Sequence, residues 1–230
     1  MTTLSPLFAP RKLGALPLRN RFLRSAAFEG MCPGGLPSDE LVEHHRQMAA
    51  GGVGMTIIAY ASVLPEGRTY GHQLLMTADG VVPALRRVTD AVHAEGAAAA
   101  IQIGHCGYFA SPEVTGERPV GPSAVFNTYA LAKSRAATPV DLERILAAFA
   151  RAAHQAREAG FDALELQASH GYLLSQFLSP FTNRRTDEYG GSLENRLRFP
   201  LAVLRRMRQV VGASNRYAPR YRGHGGDSSN

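Results

Sequence analysis

Three side chains able to donate protons or hydrogen bonds, Gln167, His170 and Tyr172, crowd the end of one strand-like run. They lie in GFDALELQASHGYLLSQFLSPFTNRRTDEYGGSLENR, residues 160–196. The run itself covers 161–167. Strand side chains alternate between two faces, so Glu165 and Gln167 share one face and Leu164 and Leu166 the other. An amide both donates and accepts, an imidazole does either, and a phenol of pKa about 10 stays protonated at neutral pH and can serve as an acid. Taken singly, each is as ordinary as any core or rim residue. Delivered together from a strand end into a loop, they make a candidate site.

The chain around them is long enough for one domain. With 230 residues, 45% hydrophobic and 19% charged, it reads as globular and not disordered. The net charge of +6 comes from arginines in helix-like segments and after Gly212. They read as a solvated basic face, so nucleic acid is not an expected partner. Two cysteines, Cys32 and Cys106, make neither a disulfide framework nor a zinc site and read as free thiols, so no metal is expected. The opening MTTLSPLFAPRKLG lacks the apolar core of a signal peptide, and no apolar run is long enough to span a bilayer. A cytoplasmic location without a membrane partner is the expectation.

Hydrophobic periodicity and turn residues divide the chain into alternating strands and helices. Residues 7–20 are rich in turn formers, and 21–27 form a candidate strand. Residues 38–50 read as a helix capped by Ser38, with Leu41, His45 and Met48 near one face. The glycines of 51–54 lead into a buried-strand pattern, MTIIAYASV. A helix over 79–96 and a strand over 97–103 follow. Residues 108–138 form a long connection of the functional or mobile kind. Thr138 caps a helix over 139–160, with Pro139 in its first turn. Another helix runs over 192–211 and stops at Gly212. This order predicts parallel strands with right-handed crossovers. Periodicity alone allows a doubly wound sheet or a barrel.

The run HGYLLSQFLSPFTNRRTDEYGGSLENR resembles the Old Yellow Enzyme family of FMN-dependent oxidoreductases, as do PEGR at 65–68 and the wider span 7–212. The resemblance implies a (β/α)8 TIM barrel, α/β in class, of which residues 1–212 would be about the first four βα units. It implies FMN at the barrel mouth, NAD(P)H as reductant and a small electron-poor acceptor such as an activated alkene. By the same resemblance Ser25 and Ala26 offer backbone groups to the flavin, Ala59 and Tyr60 line it, and Gln102 meets its pyrimidine edge. Gln167, beside the flavin as well, would join His170 in holding the acceptor's oxygen, and Tyr172 would protonate the neighbouring carbon. Phe28 stands near the position where one branch bonds a cysteine to FMN, so the flavin is expected to be noncovalent.

The sequence departs from its relatives at Gln167, where many have His. An amide cannot become cationic, which leaves carbonyl binding open but changes its strength. The segment 183–196 reads as structural, with Arg, Asp, Glu and Asn pairing locally and Gly190 and Gly191 making a turn. Residues 213–230 are polar, Gly-rich and basic, and are expected to form an irregular tail where the family calls for a fifth strand. A barrel stopped there would be crippled, with its first and fourth strands exposed as edges open to self-association. Two alternatives stand beside this reading. One is a fragment of an iron–sulfur flavoenzyme of the trimethylamine dehydrogenase or dienoyl-CoA reductase kind; the other is a noncatalytic partial barrel.

Overall fold

The computed structural model describes residues 5–129 and 131–212. The chain opens with an antiparallel hairpin, β1 (Arg11–Leu13) and β2 (Leu16–Leu18). There follow β3 (Leu23–Arg24), α1 (Asp39–Ala50), β4 (Met55–Ser62), α2 (Val81–Ala94) and β5 (Ala98–Gly104). The long connection then carries α3 (Pro112–Thr115) and four two-residue strands, β6 (Val120–Gly121), β7 (Phe126–Asn127), β8 (Ala132–Lys133) and β9 (Arg135–Ala136). Last come α4 (Pro139–Glu158), β10 (Ala163–Leu166), α5 (Leu173–Leu178) and α6 (Leu193–Val211). The expected irregular tail over 213–230 lies outside the described residues.

One parallel sheet, ordered β10-β5-β4-β3, organises these elements. Its outer face carries Ile58, Ile101, Ile103, Leu164 and Leu166, buried against Leu41, Leu85, Val88, Ile145 and Phe149 of the helices. Its inner face carries Met55, Ile57, Ala100 and Ala163, which pack on Leu16 and Leu18 of the hairpin. The turn-rich 7–20 segment is therefore a plug beneath the N-terminal ends of the strands. Among the described residues, β3 and β10 each have a strand neighbour on one side only.

The register of β4 on β5 shifts between Ile58 and Ala61. Strict alternation would send Tyr60 to the helices with Ile58. The shift turns Tyr60 and Ala59 into a separate cluster with Cys106, while Ala61 joins the helix-facing core. Such irregularities release ladder groups and re-aim side chains. Here Ala59 N–H finds the carboxylate of Glu29 (Oε2) at 3.1 Å. The other oxygen of Glu29 meets Arg24 Nη1 at 2.5 Å and lies 3.3 Å from His45 Nε2, whose Nδ1 is 2.7 Å from Thr56 Oγ1. Leu41, His45 and Ala49 are the buried residues of α1; Met48 is only half-buried.

The candidate strand over 21–27 reduces to Leu23–Arg24. Beyond Arg24 the chain leaves the ladder, and the Arg24 guanidinium bonds Ile57 O and Glu29 across β4. The run over 161–167 is paired as strand from Ala163 to Leu166. Helix ends follow the sequence: Ser38 Oγ accepts from Leu41 N and Ser192 Oγ from Asn195 N. Thr138 and Asp141 form a reciprocal capping box at the start of α4. Arg135 on β9 grips the same Asp141 carboxylate with two bonds, of 2.6 and 2.8 Å. The 183–196 segment is a structural knot. Asn183 Nδ2 donates to Phe177 O and Tyr189 O, and Arg185 joins Asp187 to the carbonyls of Pro122 and Ala137.

Two outcomes follow from these contacts. The Arg135 guanidinium, with the Thr138 groups, holds the Asp141 carboxyl well below the usual carboxylate range against the opposing effect of burial. Its contribution to stability is complete above the unfolded pKa of about 3.9 and is lost as pH falls toward the depressed folded value. Asp141→Asn should lower stability at neutral pH by about 1 kcal/mol and flatten the acid limb. Urea midpoints measured from neutral to acid pH check both. Glu29→Ala strands Arg24 and the Ala59 N–H together. It should cost about 3 kcal/mol, read from denaturation of the variant beside Glu29→Gln, which keeps an acceptor and loses less.

Candidate active site

Parallel pairing sets Gln102 of β5 opposite Glu165 of β10, both pointing to the inner face at the C-terminal ends of their strands. Gln102 Nε2 donates to Glu165 Oε1 at 2.6 Å. One step on, Gln167 Nε2 donates to Gln102 Oε1 at 3.2 Å and lies 3.4 Å from His170 Nδ1. Gln167 Oε1 accepts from the backbone N–H and hydroxyl of Ser169, at 3.0 and 2.7 Å. Gly104 makes room for this arrangement: a Cβ there would stand 2.9 Å from Gln167 Cβ. His170 adopts φ 57°, a left-handed backbone uncommon outside glycine, which turns its ring back toward Gln167.

Beside the amides lies an aromatic group. Ala59, Tyr60, Cys106 and Ala110 are buried together, with Ala26, Phe109 and Tyr172 packed against them. The Tyr60 and Tyr172 hydroxyls are 3.0 Å apart, and Cys106 Sγ lies 3.8 Å from the Tyr60 oxygen. Phe28 stacks on Tyr70 at 4.4 Å, and the Tyr70 hydroxyl is 3.1 Å from that of Tyr129 in the β7–β8 connection. Burial raises the pKa values of Tyr60 and Tyr172 and pushes the Cys106 thiol up to about 11. All three groups are therefore protonated at neutral pH. The His170 and Tyr172 rings meet edge to face at 6.5 Å and join the aromatic group to the amides.

The structure thus gathers Gln102, Gln167 and His170 in one group and Ala26, Ala59, Tyr60 and Tyr172 in a second beside it. Ser25 is exposed at the end of β3, and Phe28 is half-exposed over Tyr60. Sequence reasoning missed Ser169 and gave no part to Glu165, although alternation had placed Glu165 on the same face as Gln167. It gave no part to Glu29, Cys106, Tyr70 or Tyr129, which no periodicity connects to the rest. His105 is fully buried, accepts from Gly107 N at 3.0 Å, and is held neutral by burial with its pKa pushed down to about 4. Among the described residues, no group of three or more His, Cys, Asp or Glu could hold a metal ion.

The residues present fit a flat heteroaromatic cofactor such as FMN. Gln102 and Gln167 bring amide donors and acceptors to the inner face, and the small side chains of Ala26 and Ala59 lie beside them.

Comparison with known proteins supplies the lineage. The sequence model of the NADH:flavin oxidoreductase / NADH oxidase family matches residues 6–222. The 4,4'-dithiodibutanoate disulfide reductase of Rhodococcus erythropolis is 43% identical over 208 residues, 90% of this chain and 51% of that protein. An NADPH dehydrogenase of Listeria welshimeri is 38% identical over 90% of this chain and 61% of its own length. The structure of morphinone reductase in complex with tetrahydroNAD superposes with a TM-score of 0.88 at 32% identity, covering 94% of this chain and 63% of that one. The chain therefore spans between half and about three fifths of the length of these relatives. The four-stranded sheet and its helices correspond to one side of a TIM barrel. With the family match extending over nearly all of the sequence and the barrel strands superposing, the chain belongs to the NADH:flavin oxidoreductase / NADH oxidase family, among the Old Yellow Enzyme-like proteins.

Proposed function

We propose that residues 1–212 form an FMN-binding unit of an NAD(P)H-dependent oxidoreductase that reduces a small electron-poor acceptor, an activated alkene in the first instance. The observation that carries this reading is the meeting of Gln102, Gln167, His170 and Tyr172 at the C-terminal ends of β5 and β10. That is the end of a barrel where chemistry is placed. When bound, noncovalently, FMN supplies the hydride that passes from nicotinamide to acceptor. Gln102 and Gln167 hold it by their amides, with Ala59, Tyr60 and the backbone of Ser25 and Ala26 beside it.

The remaining tasks fall to side chains of this chain. Negative charge gathers on the oxygen of a conjugated carbonyl as its alkene is reduced, and donors aimed at that oxygen lower the barrier. Gln167 and His170 are the donors. The fixed amide of Gln167 orients the acceptor without contributing a cation. The Tyr172 hydroxyl gives its proton to the carbon next to the one reduced, and its elevated pKa keeps that proton in place across the neutral range. An organic disulfide is a second acceptor class, favoured by the likeness to the Rhodococcus disulfide reductase. There the Tyr172 proton would go to the departing thiolate.

A cytoplasmic setting belongs to this reading. It is supported by two buried cysteines without a disulfide, and no described helix is long and apolar enough to cross a membrane. The one-sided edges β3 and β10 are proposed to take further strands, from this chain or from a second copy.

Two measurements test the proposal. FMN added to the dialysed protein should lose fluorescence on binding, and Gln102→Ala should weaken the effect; mass in solution recorded on the same sample reports self-association through the edges. A flavin signal indifferent to the protein would sink the reading. Tyr172→Phe should leave flavin reduction by nicotinamide nearly intact and slow alkene reduction by about 100-fold or more. Stopped-flow traces of the two half-reactions separate these steps, and equal alkene rates would remove Tyr172 from the mechanism.

A further inference from the structure

Tyr60 stands 112 residues before Tyr172 in sequence, yet their hydroxyls share a hydrogen bond of 3.0 Å. The register shift in β4 places it there, and packing fixes both rings. Their centroids are 5.4 Å apart; Phe28 lies 5.8 Å from Tyr60, and Phe109 lies 6.1 Å from Tyr172. A hydroxyl carries one proton, so the bond between the two oxygens has a direction. Tyr60 is buried at 5% exposure, whereas Tyr172 is half-buried and borders the amide group. The proton that needs an internal acceptor is therefore that of Tyr60. On its other side the Cys106 thiol, 0% exposed, is placed to donate to the Tyr60 oxygen. The three groups align as a chain of donors, each accepting from the one before.

We propose that Tyr60 is the positioning residue for Tyr172: its hydroxyl donates to the Tyr172 oxygen, which aims the Tyr172 proton into the site and holds the phenolate once that proton has left. Cys106 orients Tyr60 and takes no part beyond that. The proposal rests on the reading of Tyr172 as the acid and adds what readies it. Burial opposes ionisation of Tyr172, and the bond from Tyr60 acts against burial. When the proton passes to an acceptor, the Tyr172 O–H bond breaks and the bond to the acceptor forms. The Tyr60 proton remains on Tyr60 throughout. Other titratable groups facing the pair are His170, Cys106, Tyr70 and Tyr129, the last two bonded to each other. The Thr69 hydroxyl, which does not titrate, also lies beside both tyrosine oxygens and is retained in Tyr60→Phe, so that variant reads the Tyr60 bond alone.

The test reads ionisation directly and needs no bound flavin. Tyrosine labelled at Cζ gives one NMR signal per ring, and its shift reports phenolate formation; Tyr172→Phe assigns the signal. In Tyr60→Phe, which keeps the ring and its packing, the Tyr172 step should move up by about one pH unit, the size of one hydrogen bond to a charged oxygen. Cys106→Ala keeps both rings and should move the same step upward by less. A Tyr172 step that stays put or moves down in both variants overturns the proposal. In turnover the alkaline limb of alkene reduction should move with the NMR step. If the NMR step shifts while Tyr172→Phe reduces alkene at the parent rate, the pair stands and the assigned function fails. If Tyr172→Phe abolishes alkene reduction while Tyr60→Phe leaves the Tyr172 step untouched, the function stands and the pair fails.

Discussion

The carboxylate of Glu29 accepting the N–H of Ala59 is the contact on which the site side of the sheet depends. The register shift in β4 frees that N–H from the ladder, and a buried backbone donor left unpaired is costly. Glu29 satisfies it from outside the strand and is itself neutralised by Arg24 on β3. Without this partner the shift would be unfavourable, and Tyr60 would stay on the helix-facing side with Ile58. The same carboxylate ties the loop after β3, which carries Ala26 and Phe28, to the middle of β4. One buried ion pair thus fixes both walls of the aromatic group.

A second constraint is pairing register. Gln102 lies opposite Glu165 because Ala163 lies opposite Ala100, and a slip of one residue would turn the amides toward the helices. The apolar side prevents it: Ile101, Ile103, Leu164 and Leu166 all have places in the core beneath α2 and α4. Polar groups at the site are thus held in place largely by residues that never approach it. Arg185 plays a similar part at a distance, since its bonds to Pro122 and Ala137 pin the chain on either side of the β7–β8 hairpin against the segment before α6.

Much of this was legible in the sequence, for identifiable reasons. Alternation from Leu164 to Gln167 separates the two faces, and the caps Ser38, Thr138 and Ser192 announce their helices by residue type. What escaped has equally physical causes. The strands within 108–138 are two residues long, too short for a period. In α5, Leu173, Leu174, Gln176 and Phe177 are all buried, so no amphipathic stripe marks a helix. The candidate strand over 21–27 ends at Arg24 because the arginine bonds across to β4 instead of continuing the ladder. Tyr60 defies alternation through the register shift, and its tie to Tyr172 is a contact between distant parts of the chain. The amide group was partly visible: Gln102, Gln167 and His170 were singled out, while Glu165 and Ser169, which orient the amides, were given no part.

The β1–β2 hairpin has a kinetic consequence. Leu16 and Leu18 stop the N-terminal end of the inner face against Met55, Ile57, Ala100 and Ala163, so along this wall there is no passage from one end to the other. The end of this wall that the hairpin leaves free is the C-terminal one, where Gln102 and Gln167 lie. Under the proposed function, two reactants sharing that end would take turns, and each, in excess, would become an obstacle to the other.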